Sequence, residues 1–253
     1  MTNARRARAL RAAKQANSRS VATKSRTGRP VSGSKPRSRR PVRSSLSKLA
    51  IGLAGLAVVG ILIGALIPAG SSEPFVSGPP GPEGVPLEIG RPIAPASTAA
   101  NGQMVDGIGC DSSEQLVYHV HTHLCIYVNG VLRPLPAGIG IVSPVAENTP
   151  FGPFYEATQC YYWLHVHAAD GIIHIESPSV RVYTLGEFFD IWRQPLGPRR
   201  VGSETGPLTV WVNGRRFWGN PRAIELGSHE DVQIDVGRPV VPPSRVDWSV
   251  TGL

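Results

Sequence analysis

Residues 161–176, YYWLHVHAADGIIHIE, contain two short runs of alternating residues on either side of the dipeptide Asp170-Gly171. This dipeptide favours a two-residue type I′ turn, because both central positions need positive φ, which Gly adopts freely and Asp tolerates better than most residues. Counting outward from the turn places His167 opposite His174. The stretch therefore predicts a β-hairpin in which two histidines face each other.

The predicted hairpin collects potential metal ligands on one face. With the two-residue turn, His165 lies opposite Glu176, and alternation along each strand leaves both side chains on the face of His167 and His174. A four-residue turn would instead pair His165 with His174 and keep the same face. Directly opposed Cβ atoms lie about 4.5–5.5 Å apart, which allows imidazole nitrogens to converge on one ion.

An earlier stretch, residues 115–128, predicts a strand with apolar residues facing the core and three histidines on its other face. Same-face neighbours stand about 6.6 Å apart along a strand, so His119 and His123 are too far apart to bind one ion together. We therefore expect His119, His121 or both to complete a site with the central hairpin. The role of His123 stays open.

The histidine pattern predicts a transition-metal site for Cu or Zn. Six of the seven histidines fall in two short stretches, and imidazole is the commonest metal-binding side chain. Glu176 is expected either to bind the ion or to orient His165 through its second nitrogen. The alternative is that alternating histidines form the polar face of half-exposed strands. The expected ligands are His165, His167, His174, His119, His121 and Glu176.

Three cysteines follow the predicted membrane segment, where the compartment is oxidising. Cys110 and Cys160 each precede a histidine-bearing strand by a short interval, so we expect a disulfide between them. Cys125 then remains on the histidine face. It is either a soft metal ligand that favours copper or zinc, or a buried free thiol.

The formal net charge of +8 belongs to the N-terminal tail. Residues 1–48 contain 15 of the 26 Lys and Arg residues and no Asp or Glu, so the rest of the chain has a net charge of −7. A segment with so few apolar residues cannot offset its chain entropy by burial, which predicts disorder. Anionic lipid headgroups are the expected partner of this tail. Specific nucleic-acid binding is not expected, because no aromatic residue interleaves the basic ones.

Residues 49–69 form an uncharged apolar run of 21 residues, and a bilayer core needs about 20. The run predicts one transmembrane helix that acts as a signal anchor, since a cleaved signal peptide has a shorter apolar region and a shorter leader. Lys and Arg collect on the cytoplasmic side, so the cell membrane is the expected location, with the tail cytoplasmic and the C-terminal domain extracytoplasmic. The spacing of Gly60 and Gly64 favours a homodimer.

Two segments follow the predicted membrane helix. Residues 70–103 are rich in Pro, Gly and Ser and predict a semi-extended spacer. Residues 104–253 are long enough for one domain with its own core. Asn129-Gly130 and Asn213-Gly214 predict two further type I′ hairpins in this domain.

The remaining elements complete the expected fold. Residues 223–226 and 232–236 predict two more strands. Thr184 and Glu187 match a capping box, which predicts a helix from Leu185 to about Arg193. We therefore expect an α+β fold, in which a mostly antiparallel sheet carries one or two short helices behind an N-terminal transmembrane helix.

Several unusual motifs occur in order between about Gly107 and Gly237. They are HxHxH at 119–123, WLHxH at 163–167, GIIHIESP at 171–178 and LGxFFxxW at 185–192. In these motifs the chain resembles an uncharacterised group of bacterial and archaeal membrane-anchored extracytoplasmic proteins with His-rich strands. That group tends to have Thr-His-Asp where this chain has Val166-His167-Ala168, so a carboxylate at position 168 is absent here. The resemblance implies no established activity.

The sequence leaves three functions open. The first is a membrane-anchored extracytoplasmic protein that binds Cu or Zn through the His-rich hairpin. The second is a metal-dependent enzyme in which the ion keeps an open position and Glu176 acts as base. The third is a structural or assembly module that uses its histidines for packing or as a pH sensor.

Overall fold

The structure is a computed structural model that describes residues 76–253. These residues form thirteen strands but a single α-helix, so the fold is mostly β and the expected α+β class is wrong. Within residues 76–253, only Leu185–Trp192 has a capping box, and the other helical segments there are short 3₁₀ turns. The strands are β1 (Cys110–Asp111), β2 (Tyr118–Val128), β3 (Val131–Leu132), β4 (Ile141–Thr149), β5 (Gly152–Tyr162), β6 (Leu164–His165), β7 (Ile172–Ser177), β8 (Leu196–Gly197), β9 (Arg200–Val201), β10 (Glu204–Thr205), β11 (Leu208–Val212), β12 (Arg215–Phe217) and β13 (Glu230–Val236). The α-helix is Leu185–Trp192, and the 3₁₀ turns are Ala96–Thr98, Pro221–Ala223 and Trp248–Val250.

The largest sheet has the strand order β12-β11-β13-β2-β7-β6, with β3 paired to β2 beyond the hairpin turn. The pairing of β13 with β2 is parallel, and every other strand pair of the described residues is antiparallel. Two smaller sheets have the orders β1-β5-β4 and β10-β9-β8. The long strand β2 therefore lies between β13 and β7.

The two Asn-Gly turns form as predicted. Asn129 and Gly130 have φ values of 51° and 78°, and Asn213 and Gly214 have φ values of 49° and 71°. Positive φ at both central positions is what a type I′ turn requires. Tertiary hydrogen bonds agree with the local signal, since the Asn129 amide donates to the Val236 carbonyl and the Asn213 amide to the Asp231 carbonyl.

The central hairpin differs from its prediction. The pairing of β6 with β7 places His165 opposite His174, so the predicted pairs of His167 with His174 and of His165 with Glu176 are wrong. Asp170 does not adopt positive φ, and its Oδ1 instead accepts a hydrogen bond from the Ile172 amide. Beyond His165 the chain leaves β7, because Val166 exchanges backbone hydrogen bonds with the loop at residues 138–139.

The hydrophobic core lies on the face of the large sheet opposite the histidines. Alternate residues of β2, including Leu124 and Ile126, are fully buried against the helix and its neighbours. The helix begins with the predicted capping box of Thr184 and Glu187, and its aromatic face is buried as expected. Residues 223–226 do not form the predicted strand. Pro221 starts a 3₁₀ turn that ends at Ala223, and Glu225 then forms only an isolated bridge with Thr184.

Both ends of the described chain cover the histidine face. Residues 76–103, which the sequence predicted to be part of a semi-extended spacer, pack on the domain and bury Val85 and Ile93. Val85 contacts Ile172 and Val246 in a small apolar cluster. Burial of these apolar side chains lowers the free energy relative to a solvated extended chain. This part of the segment therefore belongs to the domain.

The predicted tail at residues 1–48, the predicted membrane helix at residues 49–69 and the Gly60 and Gly64 contact lie outside the described residues. Within residues 76–253, no helix has both the length and the apolar character needed to cross a membrane.

Candidate metal centre

Three strands of the large sheet bring their histidines into one row. The register pairs His121 of β2 with His174 of β7, and His174 with His165 of β6. His119 lies opposite Glu176 one step further along. Because residues directly opposite one another in an antiparallel sheet point to the same face, all these side chains meet on the face opposite the core.

The first candidate group contains His119, His121, His174 and Glu176. Each residue offers one ligand atom, and these atoms lie within 4.8 Å of one another. The Nε2 atoms of His119 and His121 are 3.0 Å apart, and His119 Nε2 is 2.9 Å from Glu176 Oε1. The His119 side chain is 34 % exposed, so the group opens to solvent at this edge.

The second candidate group contains His165, His167 and His174, whose ligand atoms also lie within 4.8 Å of one another. His165 Nδ1 is 2.8 Å from the carbonyl oxygen of Tyr162, and His167 Nδ1 is 2.6 Å from that of Tyr155. A carbonyl can only accept, so each Nδ1 carries a proton, and the neutral form of each ring has its lone pair on Nε2. These two Nε2 atoms are 3.0 Å apart.

In the neutral forms of both rings these two lone pairs face each other, an arrangement that a bound cation would stabilise. Hydrogen bonding of the distal ring nitrogen to a backbone carbonyl is the usual way in which proteins orient a metal-binding histidine. Burial and the charges of His167 and His174 lower the pKa of His165 well below its usual range. Burial and the charge of His174 lower the pKa of His121 to about 3. Both imidazoles are therefore neutral at pH 7, the state that binds metal.

Glu176 and Glu83 place negative charge at the cluster. Glu83 Oε1 is 2.7 Å from His174 Nε2, and Glu176 Oε1 is 3.3 Å from His174 Nδ1. Burial alone would lower the pKa of His174, but these two carboxylates outweigh it and raise the pKa to about 10. In the absence of metal, the imidazolium of His174 therefore supplies the positive charge that the carboxylates require. Glu176 Oε2 is buried and has no hydrogen-bond partner within residues 76–253.

Asp170 adds a third buried carboxyl group beside Glu83. Burial and the adjacent Glu83 charge raise the pKa of Asp170 well above its usual range. The pKa of Glu83 is lowered, because His174 and His167 outweigh the effect of burial. Asp170 therefore keeps its proton, while Glu83 is ionised beside His174.

The structure brings all six predicted ligands into one cluster, although the register differs from the prediction. Sequence reasoning missed Glu83, since it lies 91 residues from His174 in a segment without a strand pattern. The sequence marks Asp170 only as a turn residue. Sequence reasoning also missed Glu114, whose Oε1 is 3.3 Å from His167 Nε2 at the exposed edge. No local signal in the sequence marks these acids.

The remaining histidine and thiol of β2 lie apart from the cluster. The ring nitrogens of His123 are 3.7 Å from Asp231 Oδ1 and 3.8 Å from Glu88 Oε1, too far for good hydrogen bonds. Cys125 is a buried free thiol, and burial raises its pKa well above the usual range. Neither residue belongs to a metal-binding group among the described residues.

Cys110 and Cys160 form a disulfide, the pair that the sequence indicated. The bond joins β1 to β5 next to the register pair Cys110 and Tyr162. It holds the strand that leads directly into β6, where the second histidine pair begins. The disulfide therefore supports the site without contributing a ligand to it.

The His and Glu side chains of this cluster could hold a transition-metal ion, since neutral imidazole suits Zn and Cu and carboxylate completes such sites. No family model matches the chain, and no curated protein or solved structure matches it.

Proposed function

We propose that this protein is a membrane-anchored, extracytoplasmic protein that binds Cu or Zn through its histidine cluster. The observation that carries the proposal is the pair His165 and His167, with both Nδ1 atoms bonded to backbone carbonyls and both Nε2 atoms 3.0 Å apart. These hydrogen bonds fix both rings with their Nε2 atoms close together inside a buried site, which is how proteins orient metal-binding histidines.

Glu176 acts as a ligand in this proposal. Its Oε1 lies 2.9 Å from His119 and 3.3 Å from His174, within the first candidate group, which suits coordination better than the role of a base facing substrate. The proposed location of the protein in the cell rests on its sequence. The uncharged run at residues 49–69 behind a basic tail supports a membrane anchor with the domain outside, as does the resemblance to extracytoplasmic proteins.

Metal analysis of the purified full chain in detergent tests the proposed binding. After equilibration with Zn²⁺ or Cu²⁺ and removal of free ion, we expect bound metal in the wild type and in His229→Ala, whose side chain stacks on Trp248 away from the cluster. We expect His174→Ala to lose most of the metal, because His174 belongs to both candidate groups. Equal retention in His174→Ala, or no metal in the wild type, would refute the proposal.

Acidification provides a second test on the same protein. Ligating imidazoles must be neutral, so the metal should be released as the pH falls toward 5. Circular dichroism at each pH separates release from unfolding. Retention of the ion at pH 5 by a folded chain would argue against histidine ligation.

A further inference from the structure

We infer that the cluster holds two metal ions, one on each side of His174. This inference rests on the proposed function and extends it from a metal site to a two-ion centre. The first position is formed by His119, His121, His174 and Glu176, and the second by His165, His167 and His174.

Distances prevent one ion from using every ligand. At a metal–nitrogen bond length of about 2.1 Å, two ligand atoms on one ion are at most about 4.2 Å apart. Among residues 76–253, no group of ligand atoms within 4.8 Å of one another contains both His119 and His167. The Nε2 atoms of His119 and His121 are 3.0 Å apart, and so are those of His165 and His167. Each of these two pairs can therefore bind its own ion.

His174 lies between the two pairs. Its ring centroid is 4.6 Å from that of His121 and 4.7 Å from that of His167, with the rings nearly perpendicular in both cases. Its two nitrogens have different neighbours, since Nδ1 lies near Glu176 and Nε2 lies near Glu83. An imidazole that binds one ion through each nitrogen separates the two ions by about 6 Å.

The surrounding charge also suits two ions. Glu176, Glu83 and Asp170 are all buried around His174, and Glu176 Oε2 has no hydrogen-bond partner in the described part of the chain. Glu176 lies beside Nδ1 of His174 and Glu83 beside Nε2, so each proposed ion has one ionised carboxylate next to it.

Metal stoichiometry tests the inference with Zn²⁺ alone, on the full chain in detergent. We expect about two ions per wild-type chain, one in His119→Ala, one in His167→Ala and none in the double variant. The control His229→Ala should keep both. His167→Gln replaces His167→Ala if circular dichroism shows that the alanine variant is unfolded.

The possible outcomes separate the two proposals. One ion per wild-type chain, or complete loss of metal in either single variant, would overturn the two-ion centre and leave the proposed function intact. No ion in the wild type would overturn both.

Electron paramagnetic resonance gives an independent readout with Cu²⁺ as the probe. Two Cu²⁺ ions about 6 Å apart should show spin–spin coupling in the wild type, and single-ion spectra in His119→Ala and in His167→Ala. A spectrum of isolated ions from wild-type protein that carries two equivalents of Cu²⁺ would refute the shared histidine.

Discussion

The backbone carbonyls of Tyr155 and Tyr162 decide the chemistry of the second histidine pair. Each accepts from an Nδ1 atom, so the proton position on His165 and His167 follows from hydrogen bonding. The sequence indicates which face these histidines occupy but not which nitrogen is available. The available nitrogen is set by a carbonyl three residues from His165 and by another twelve residues from His167.

Glu83 is expected to strengthen metal binding although it lies far away in the sequence. Its carboxylate is 2.7 Å from His174 Nε2, so Glu83→Gln should lower the affinity for Zn²⁺ about tenfold or more, the usual effect of removing an acidic partner of a ligand. Competition with a chelator measures this change. Glu88→Gln is the matched control, since Glu88 faces His123, which belongs to neither candidate group. Equal affinities for the two variants would show that Glu83 has no role in binding.

Glu88 should make stability depend on pH. Burial raises its pKa from 4.5 to about 7, despite the opposing charge of His123. The pKa of Glu88 is higher in the folded than in the unfolded chain. Its contribution to the free energy of unfolding is therefore fully present below pH 4.5 and is lost as the pH rises through 7. A shift of this size corresponds to about 3 kcal/mol.

Glu88→Gln should therefore raise the free energy of unfolding relative to the wild type at pH 8 and leave the difference near zero at pH 4.5. Urea titrations of the metal-free chain at both pH values measure it. A gain that is equal at both pH values would contradict the assigned pKa.

At the scale of the elements, β6 decides the geometry of the site. This two-residue strand is held on one side by β7 and on the other by the loop that ends at Gly140. Gly140 has a φ of 72°, and a Cβ atom there would lie 2.3 Å from the carbonyl oxygen of Leu164. A side chain at this position would push β6 away from its neighbours.

Gly140→Ala should destabilise the fold by about 3 kcal/mol, because it combines a strained φ with a backbone clash. Gly197→Ala is the control, since no atom lies within 4 Å of its added Cβ, and it should change stability by less than about 1 kcal/mol. Thermal and urea unfolding of both variants measure these effects. Comparable losses in the two variants would show that the clash at Gly140 is relieved without cost.

For the whole molecule, the histidine face becomes a buried site only because the two ends of the described chain close over it. Val85 and Val246 meet Ile172 on that face, 87 and 74 residues away along the chain. The disulfide adds a covalent link, since it joins Cys110 to Cys160 across a separation of 50 residues.

Replacement of both cysteines, as in Cys110→Ser with Cys160→Ser, should lower the free energy of unfolding by about 4 kcal/mol, because the unfolded chain regains the entropy of a 50-residue loop. Metal stoichiometry should stay unchanged in the folded variant, since neither cysteine is a ligand. Cys125→Ala, which removes the free thiol, serves as control and should cost less. Loss of metal from the folded double variant would place the disulfide within the site.

Local chemistry in the sequence determined the face of each histidine, both Asn-Gly turns and the capped start of the helix. These features depend on strand periodicity, positive φ and neighbouring hydrogen bonds, which involve only a few residues. The adjacency of β2, β7 and β6, the parallel pairing with β13 and the arrival of Glu83 at His174 depend on contacts between distant segments. Burial of side chains and backbone hydrogen bonds between distant segments determine which strands become neighbours. Only the tertiary structure therefore decided that six predicted ligands form one cluster around His174.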